Sequence, residues 1–173
     1  MAAATPLEDS PGTSPEPAWL TDGQQRIWRN WLSASSRVPA RLGQQLQQDS
    51  GLSLQDYEVL VTLNEATNSS CRITELAGLL EWERSRMSHH LTRMEKRGLV
   101  CRGACPDDGR AQLVELTDAG RTALEAAAPG HVRAVRSVLF DALSDDDAAE
   151  LGRITALISD HLNAQECGLA RRG

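Results

Sequence analysis

The chain has 173 residues, with 18 basic and 24 acidic side chains, a formal net charge of -6 and a pI near 5.2. That length suits one buried core with tails, and the acidity excludes a protein that coats nucleic acid over its whole surface while leaving room for a local basic face. Four cysteines, no opening apolar signal segment and no apolar run approaching roughly 18 residues lead us to expect a cytoplasmic protein with reduced thiols and no membrane partner.

Residues 1–18 are read as a disordered arm, because MAAATPLEDSPGTSPEP holds four prolines with Ser, Thr and Gly and no apolar periodicity. Residues 19–50 follow as one long helix. Leu20, Ile27, Trp28, Trp31, Leu32, Val38, Leu42 and Leu46 recur mostly every three or four positions, and Pro39 marks a place for a kink. Ser53 is the expected N-cap of a second helix carrying Leu54, Tyr57, Leu60, Val61 and Leu63, which ends in the polar stretch ATNSS.

Thr74 is read as the cap of a short helix, TELAGLLE, and Ser85 as the start of another that Gly98 stops. Two helices so closely joined form a helix-turn-helix. Next come LVCRGA, CPDDGR and AQLVEL: β-type flanks around a turn of Pro, Asp, Asp and Gly, hence a β-hairpin. A helix-turn-helix followed by a hairpin is a winged helix, and residues 51–117 are assigned to it. Thr117 then caps a long helix with an interruption near Pro129 and Gly130. Ser144 caps a last helix striped by Leu151, Ile154, Ile158 and Leu162. Residues 118–166 form this C-terminal helical part and 167–173 a tail. The expected fold class is mainly α with a small β-hairpin wing.

On the helix that starts at Ser85, a turn of about 100° per residue lines up Met87, Leu91 and Met94. Arg86, His89, His90, Arg93 and Arg97 fall within roughly a 100° arc on another side. An inward apolar stripe with an outward basic arc is what a helix in the DNA major groove requires, since arginine can span guanine O6 and N7 and lone cations can take phosphates. Any exposed helix face is charged, but here the context adds weight. From Trp82 to Arg110 there are seven basic residues against four acidic ones, so positive charge gathers there although the whole chain is acidic.

His89 and His90 are adjacent, so on a helix they diverge by about 100° and are unsuited to share a metal ion. Cys101 and Cys105 on one strand lie roughly 13 Å apart, too far for a common zinc ion or a disulfide. Cys71 and Cys167 have no decisive basic neighbour. No nucleophile, base and orienter set, phosphate loop or metalloprotease spacing appears, so neither an enzyme nor a cofactor is expected.

From about Leu20 to Leu162 the chain resembles the MarR-type winged helix-turn-helix transcriptional regulators, most specifically in ITELAGLLEWERSRMSHHLTRMEKRGLV and CPDDGRAQLVELTDAG. The resemblance implies an acidic residue bracing a wing-tip arginine that enters the minor groove, positions filled here by Asp108 and Arg110. It also implies obligate homodimers built from the first and last helices, and often a small-molecule pocket between the dimer base and the DNA-binding lobe. His89 and His90 beside Ser88 depart from the family's reading face and leave the operator sequence open.

The expected function is a homodimeric, sequence-specific regulator, a repressor of an inverted-repeat operator in double-stranded DNA, modulated by a small-molecule effector. Arg86, His89, His90 and Arg93 are candidate base or nearby phosphate contacts, and Arg84 and Ser85 backbone contacts. Ser88, Arg97, Asp108 and Arg110 complete the candidate interface. Trp28, Trp31 and Tyr57 are read first as core or dimer packing and second as a ligand pocket with Arg37 and Arg41. Two alternatives stand beside this: a thiol-based sensor of the same fold, and a winged-helix protein-interaction module.

Overall fold

The computed structural model describes residues 19–105 and 108–170, and their side chains except those of 104–111 and 166–170. In chain order the elements are α1 (Asp22–Ser50), α2 (Leu54–Glu65), a single 3-10 turn (Thr67–Ser69), β1 (Ser70–Arg72), α3 (Ile73–Leu79) and α4 (Arg84–Lys96). Then follow β2 (Val100–Cys105), β3 (Asp108–Leu116), α5 (Asp118–Val135), a wider π-type turn (Arg136–Phe140) and α6 (Asp145–Ala170). The chain divides into two compact units, Met1–Ser36 and Arg37–Gly173, so the division falls inside α1. No described helix is long and apolar enough to cross a membrane. The expected arm, residues 1–18, lies outside the described residues.

In the first unit the helix is opened by Thr21, whose hydroxyl accepts from the Gln24 N–H at 3.2 Å while Gln24 Oε1 accepts from the Thr21 N–H at 2.9 Å. This reciprocal pair satisfies donors that helix geometry leaves without partners. Along it Ile27, Trp28, Trp31 and Leu32 stay exposed, as do Trp19 and Leu20 before it.

The second unit holds the core, in which Leu46, Leu52, Val59, Leu60, Leu63, Leu76, Met87, Leu91, Met94, Val100 and Val114 are completely or almost completely buried. Ser53 caps α2 as expected, and Asp56 closes the box: its N–H donates to Ser53 Oγ at 3.0 Å and its Oδ2 accepts from the Ser53 N–H at 2.9 Å. The cap expected at Thr74 is not used, nor is the helix start expected at Ser85. α3 and α4 begin one residue earlier, after Arg72 and Glu83, with no side-chain cap at either.

α3 ends in a Schellman turn with Glu81 at φ 53°, the Trp82 N–H reaching Ala77 O at 2.8 Å and the Glu81 N–H reaching Gly78 O at 3.1 Å. A side chain in that left-handed region carries a modest steric penalty, which the two hydrogen bonds offset. α4 ends in the same motif, now with glycine where the backbone demands it: Gly98 has φ 73°, and the Leu99 N–H reaches Met94 O at 3.1 Å.

The hairpin is present and gains a third strand that the sequence reading missed. β1 pairs antiparallel with β3 (Cys71 opposite Val114), and β2 pairs with its other edge (Cys101 opposite Glu115), giving the order β1-β3-β2. Three residues are too few to show an alternation, so β1 exists only because β3 offers it an edge. α5 runs unbroken through Pro129, contrary to the expected interruption; the departure from α-geometry comes later, at Arg136–Phe140. Ser144 does cap α6, its Oγ accepting from the Asp147 N–H at 3.2 Å.

α5 is seated on the hairpin by one close approach. Thr117 Oγ1 accepts from the Gly120 N–H at 3.0 Å and donates to Gly98 O at 2.6 Å, drawing the first turn of α5 onto the β2 start. A Cβ on Gly120 would lie 2.1 Å from Leu99 O and 2.9 Å from Leu116 Cδ1. Backbone oxygen cannot step aside as a side chain can, so Gly120→Ala should lower stability by about 3 kcal/mol, the upper part of the usual overpacking range. Urea unfolding monitored by circular dichroism measures this, and an unchanged midpoint would show that α5 does not approach Leu99 so closely.

Candidate nucleic-acid interface

α4 packs through Met87, Leu91 and Met94, all fully buried, and turns Arg84, Ser85, Arg86, His89 and Arg93 to solvent, with Ser88 half-buried. A core-facing stripe and a cation-bearing face thus share one helix, the arrangement a groove-reading helix needs. At its N-terminal end a polar cleft is lined by Arg72, Thr74, Arg84, Ser85, Ser88 and Gln112. Arg72, Thr74 and Gln112 were not among the sequence candidates; β1 and β3 bring Arg72 and Gln112 beside α4 only in the folded sheet, and Thr74 comes from the first turn of α3.

His90 corrects the helical-wheel reading. It is only 6 % exposed, and its ring turns inward instead of joining the solvent arc. On the wheel it stands only about 40° from Met94, closer to the apolar stripe than any other member of that arc. Its Nε2 lies 3.1 Å from Asp56 Oδ1, its Nδ1 lies 2.9 Å from Arg93 Nη2, and Trp82 meets it edge-on with ring centroids 5.2 Å apart. Arg97 is also tied to the lobe: Nη1 donates to Asp56 Oδ2 at 2.6 Å and Nη2 to Gly51 O at 2.9 Å. Arg86 is exposed but lies over the Trp82 ring, 4.5 Å from its centroid.

Asp56 is buried at 4 % exposure. Burial alone would raise its pKa, but the close His90 ring, with hydrogen bonds from the Ser53 backbone, Arg97 and the Ser53 hydroxyl, holds the carboxyl well below the usual carboxylate range. Arg102, also missed from sequence, clamps the hairpin to α4 by donating from Nη2 to Ser88 O at 2.7 Å and to Thr92 Oγ1 at 2.8 Å. The backbone of Asp108 and Arg110 belongs to β3, but their side chains lie outside those described, as do those of Cys105 and Cys167.

Cys71 is buried, and burial, followed by the nearby Glu75 carboxylate, pushes its thiol up to about 11, which leaves little reactive thiolate at neutral pH. Cys101 is exposed on β2. Among the described residues no three His, Cys, Asp or Glu side chains gather where a metal ion could bind.

The five residues considered for a ligand pocket come from both units. Trp28 and Trp31 belong to the first unit and are exposed. In the second, Arg37 and Arg41 are exposed, while Tyr57 lines a largely apolar cavity of about 440 Å³ with Pro39, Leu42, Leu54, Val61, Leu80 and His131, and with Glu58 and Thr62 as its other polar members. Tyr57 and His131 face each other with ring centroids 4.3 Å apart. Burial lowers the His131 pKa, favouring its neutral form, and its Nδ1 is buried without a hydrogen-bond partner among the described residues.

Taken together, a helix-turn-helix, a clamped hairpin and a basic exposed helix face define a winged helix-turn-helix DNA-binding protein. The family model for the MarR family matches residues 52–111. Sco3205, a MarR family transcriptional regulator from Streptomyces coelicolor solved in complex with DNA, is 41 % identical with a TM-score of 0.80, over 84 % of this chain and 92 % of that one. AbsC, a MarR family transcriptional regulator from the same organism, is 36 % identical with a TM-score of 0.79, over 86 % of this chain and 99 % of that one. Among curated proteins, the uncharacterized HTH-type transcriptional regulator YdgJ of Bacillus subtilis (strain 168) is 27 % identical over 105 residues. That match takes in 61 % of this chain and 63 % of YdgJ, just under two thirds of the relative's length. The chain belongs to the MarR family and is a DNA-binding transcriptional regulator, not an enzyme.

The Asp56 cluster makes a prediction about acid. Because the folded-state pKa is depressed, the stability Asp56 contributes is complete above its ordinary value of 3.8 and is lost as the pH falls toward the lower folded value. Asp56→Asn should therefore cost about 2 kcal/mol at neutral pH and converge with the wild type at low pH. Thermal melts from pH 7 down to pH 2 give the comparison, and parallel curves would remove Asp56 from the acid response.

Proposed function

We propose that the chain acts as a homodimeric repressor in the cytoplasm, reading an inverted-repeat operator in double-stranded DNA and releasing it when a small molecule enters the lobe. The observation that carries this reading is α4, whose buried Met87, Leu91 and Met94 leave Arg86, His89 and Arg93 on one exposed face. The likeness to Sco3205, itself solved with DNA, supports groove insertion of the same helix. Arg86, His89 and Arg93 are assigned to base edges or nearby phosphates, and Arg84, Ser85 and Ser88 to the backbone at the start of α4. The wing pair Asp108 and Arg110 is assigned to the minor groove.

A second copy of the chain is the partner we assign to the apolar rows left uncovered in each unit: Trp28, Trp31 and Leu32 in the first, Phe140, Ile154, Leu157, Ile158 and Leu162 in the second. Burying such rows across a two-fold is the usual solution for a protein of this size, and it sets two reading helices about one DNA turn apart. Repression is the outcome we assign to such a dimer seated on its operator. Residues 19–50 and 118–166 then serve dimerisation, and 51–117 reads DNA.

Selection of bound sequences from a random DNA pool at near-physiological salt tests the first part. An inverted repeat with half-sites about one turn apart is expected. Arg93→Ala should cost about 1–3 kcal/mol and relax the preference at one position, whereas Arg110→Ala should weaken binding while leaving the dimer intact. No enriched motif would turn attention to a protein partner for the basic helix.

For the effector we assign the cavity beside Tyr57 and His131. Its apolar wall and the unpaired His131 Nδ1 suit a compact apolar or aromatic molecule carrying one hydrogen-bonding group, because an unpaired buried nitrogen gains from a partner. Val61→Phe, which fills that space, should leave operator affinity within about threefold and abolish release by any effector found in a screen. Full release by the same compound in this variant would place the effector elsewhere.

A further inference from the structure

α4 carries one polar residue that faces neither solvent nor an apolar neighbour alone. His90 is sealed between Asp56 of α2, Trp82 of the helix-turn-helix turn and Arg93 one turn further along its own helix. The contact to Arg93 has a direction that chemistry imposes. Arginine offers N–H donors and no acceptor, so at 2.9 Å from Arg93 Nη2 the His90 Nδ1 must be the lone-pair nitrogen. The ring proton is then on Nε2, 3.1 Å from Asp56 Oδ1, a close polar contact whose geometry falls short of a hydrogen bond. Asp56 cannot swing away, since Ser53 holds its Oδ2 at 2.9 Å and Arg97 holds the same oxygen at 2.6 Å.

We propose that His90 is a positioning residue for operator recognition: anchored by Asp56 and Trp82, it holds the Arg93 guanidinium from behind and sharpens base preference without touching DNA. This rests on the reading of Arg93 as a base contact. One N–H directed at His90 leaves the other guanidinium donors free for the groove, and an arginine already held loses less rotamer freedom on binding than one that wanders over the surface. The orientation of a histidine by a carboxylate, with the opposite nitrogen presented to a functional group, is the logic by which outer residues orient ligands in metal sites. Trp82 extends the same support to Arg86, whose guanidinium rests on the indole at 4.5 Å.

Two measurements test it. A long-range ¹H–¹⁵N correlation spectrum of the wild-type protein, with His90→Gln as the assignment control, should show the Nε2–H tautomer at position 90. An Nδ1–H tautomer or a ring protonated on both nitrogens would overturn the proposal without recourse to any apolar variant.

Quantitative binding to the selected operator and its single-base variants then separates positioning from bulk stability. His90→Leu should lose about tenfold on the best site and flatten the same base position that Arg93→Ala flattens, in keeping with one arginine–base pair. His90→Gln, which retains an acceptor for Arg93 and a donor for Asp56, should stay within about threefold of the wild type. In the Arg93→Ala background His90→Leu should add nothing. An equal loss in that background would reduce His90 to a structural residue. If Arg93→Ala weakens binding and His90→Leu does not, positioning alone fails; if Arg93→Ala is neutral, the base-contact reading fails and takes this proposal with it.

Discussion

One buried carboxylate organises the reading lobe. Asp56 closes the capping box that starts α2, accepts from Arg97 near the end of α4, and stands against the His90 ring in the middle of α4. Three structural tasks converge on two oxygen atoms, and the strong preference for the ionised form follows from that convergence. A charge in the interior is tolerated only when its lone pairs are occupied, so the orientation of α4 against α2 is set by polar geometry as well as by the packing of Met87, Leu91 and Met94.

From that joint the rest of the lobe follows in order. Gly98 ends α4 and hands the chain to β2; Arg102 clamps β2 back onto α4; Thr117 and Gly120 bring α5 down onto the same corner. Each contact is local, and their sum is a hairpin fixed relative to the reading helix. The electrostatics work at the same scale. The chain is acidic overall, yet seven of its basic residues fall between Trp82 and Arg110, and the net charge matters mainly at longer range, where salt screens it.

Much of the fold was legible because it rests on short-range rules. Ser53, Thr117 and Ser144 announce helix starts, Gly98 announces an end, and the change of period after Gly98 announces the hairpin. The failures share a cause. Thr74 looks like a cap and Ser85 like a first residue, but each lies one residue inside a helix that begins just after β1 or just after the Glu81 turn. Pro129 looks like a break, yet α5 runs on to Val135. β1 is invisible until β3 is beside it.

The site divides in the same way. The sequence alone determined that Arg86, His89 and Arg93 would share an exposed helix surface, because helical period and the apolar stripe dictate it. It could not separate His90 and Arg97 from that group, since a wheel gives angles and says nothing of what packs against the helix. Only the tertiary structure decided that His90 turns inward and Arg97 reaches back to Gly51, for their partner Asp56 lies over thirty residues away in sequence and meets them through the packing of α2 on α4. Periodicity encodes which face is wet, whereas the pairing of buried polar groups depends on contacts that exist only once the chain has folded.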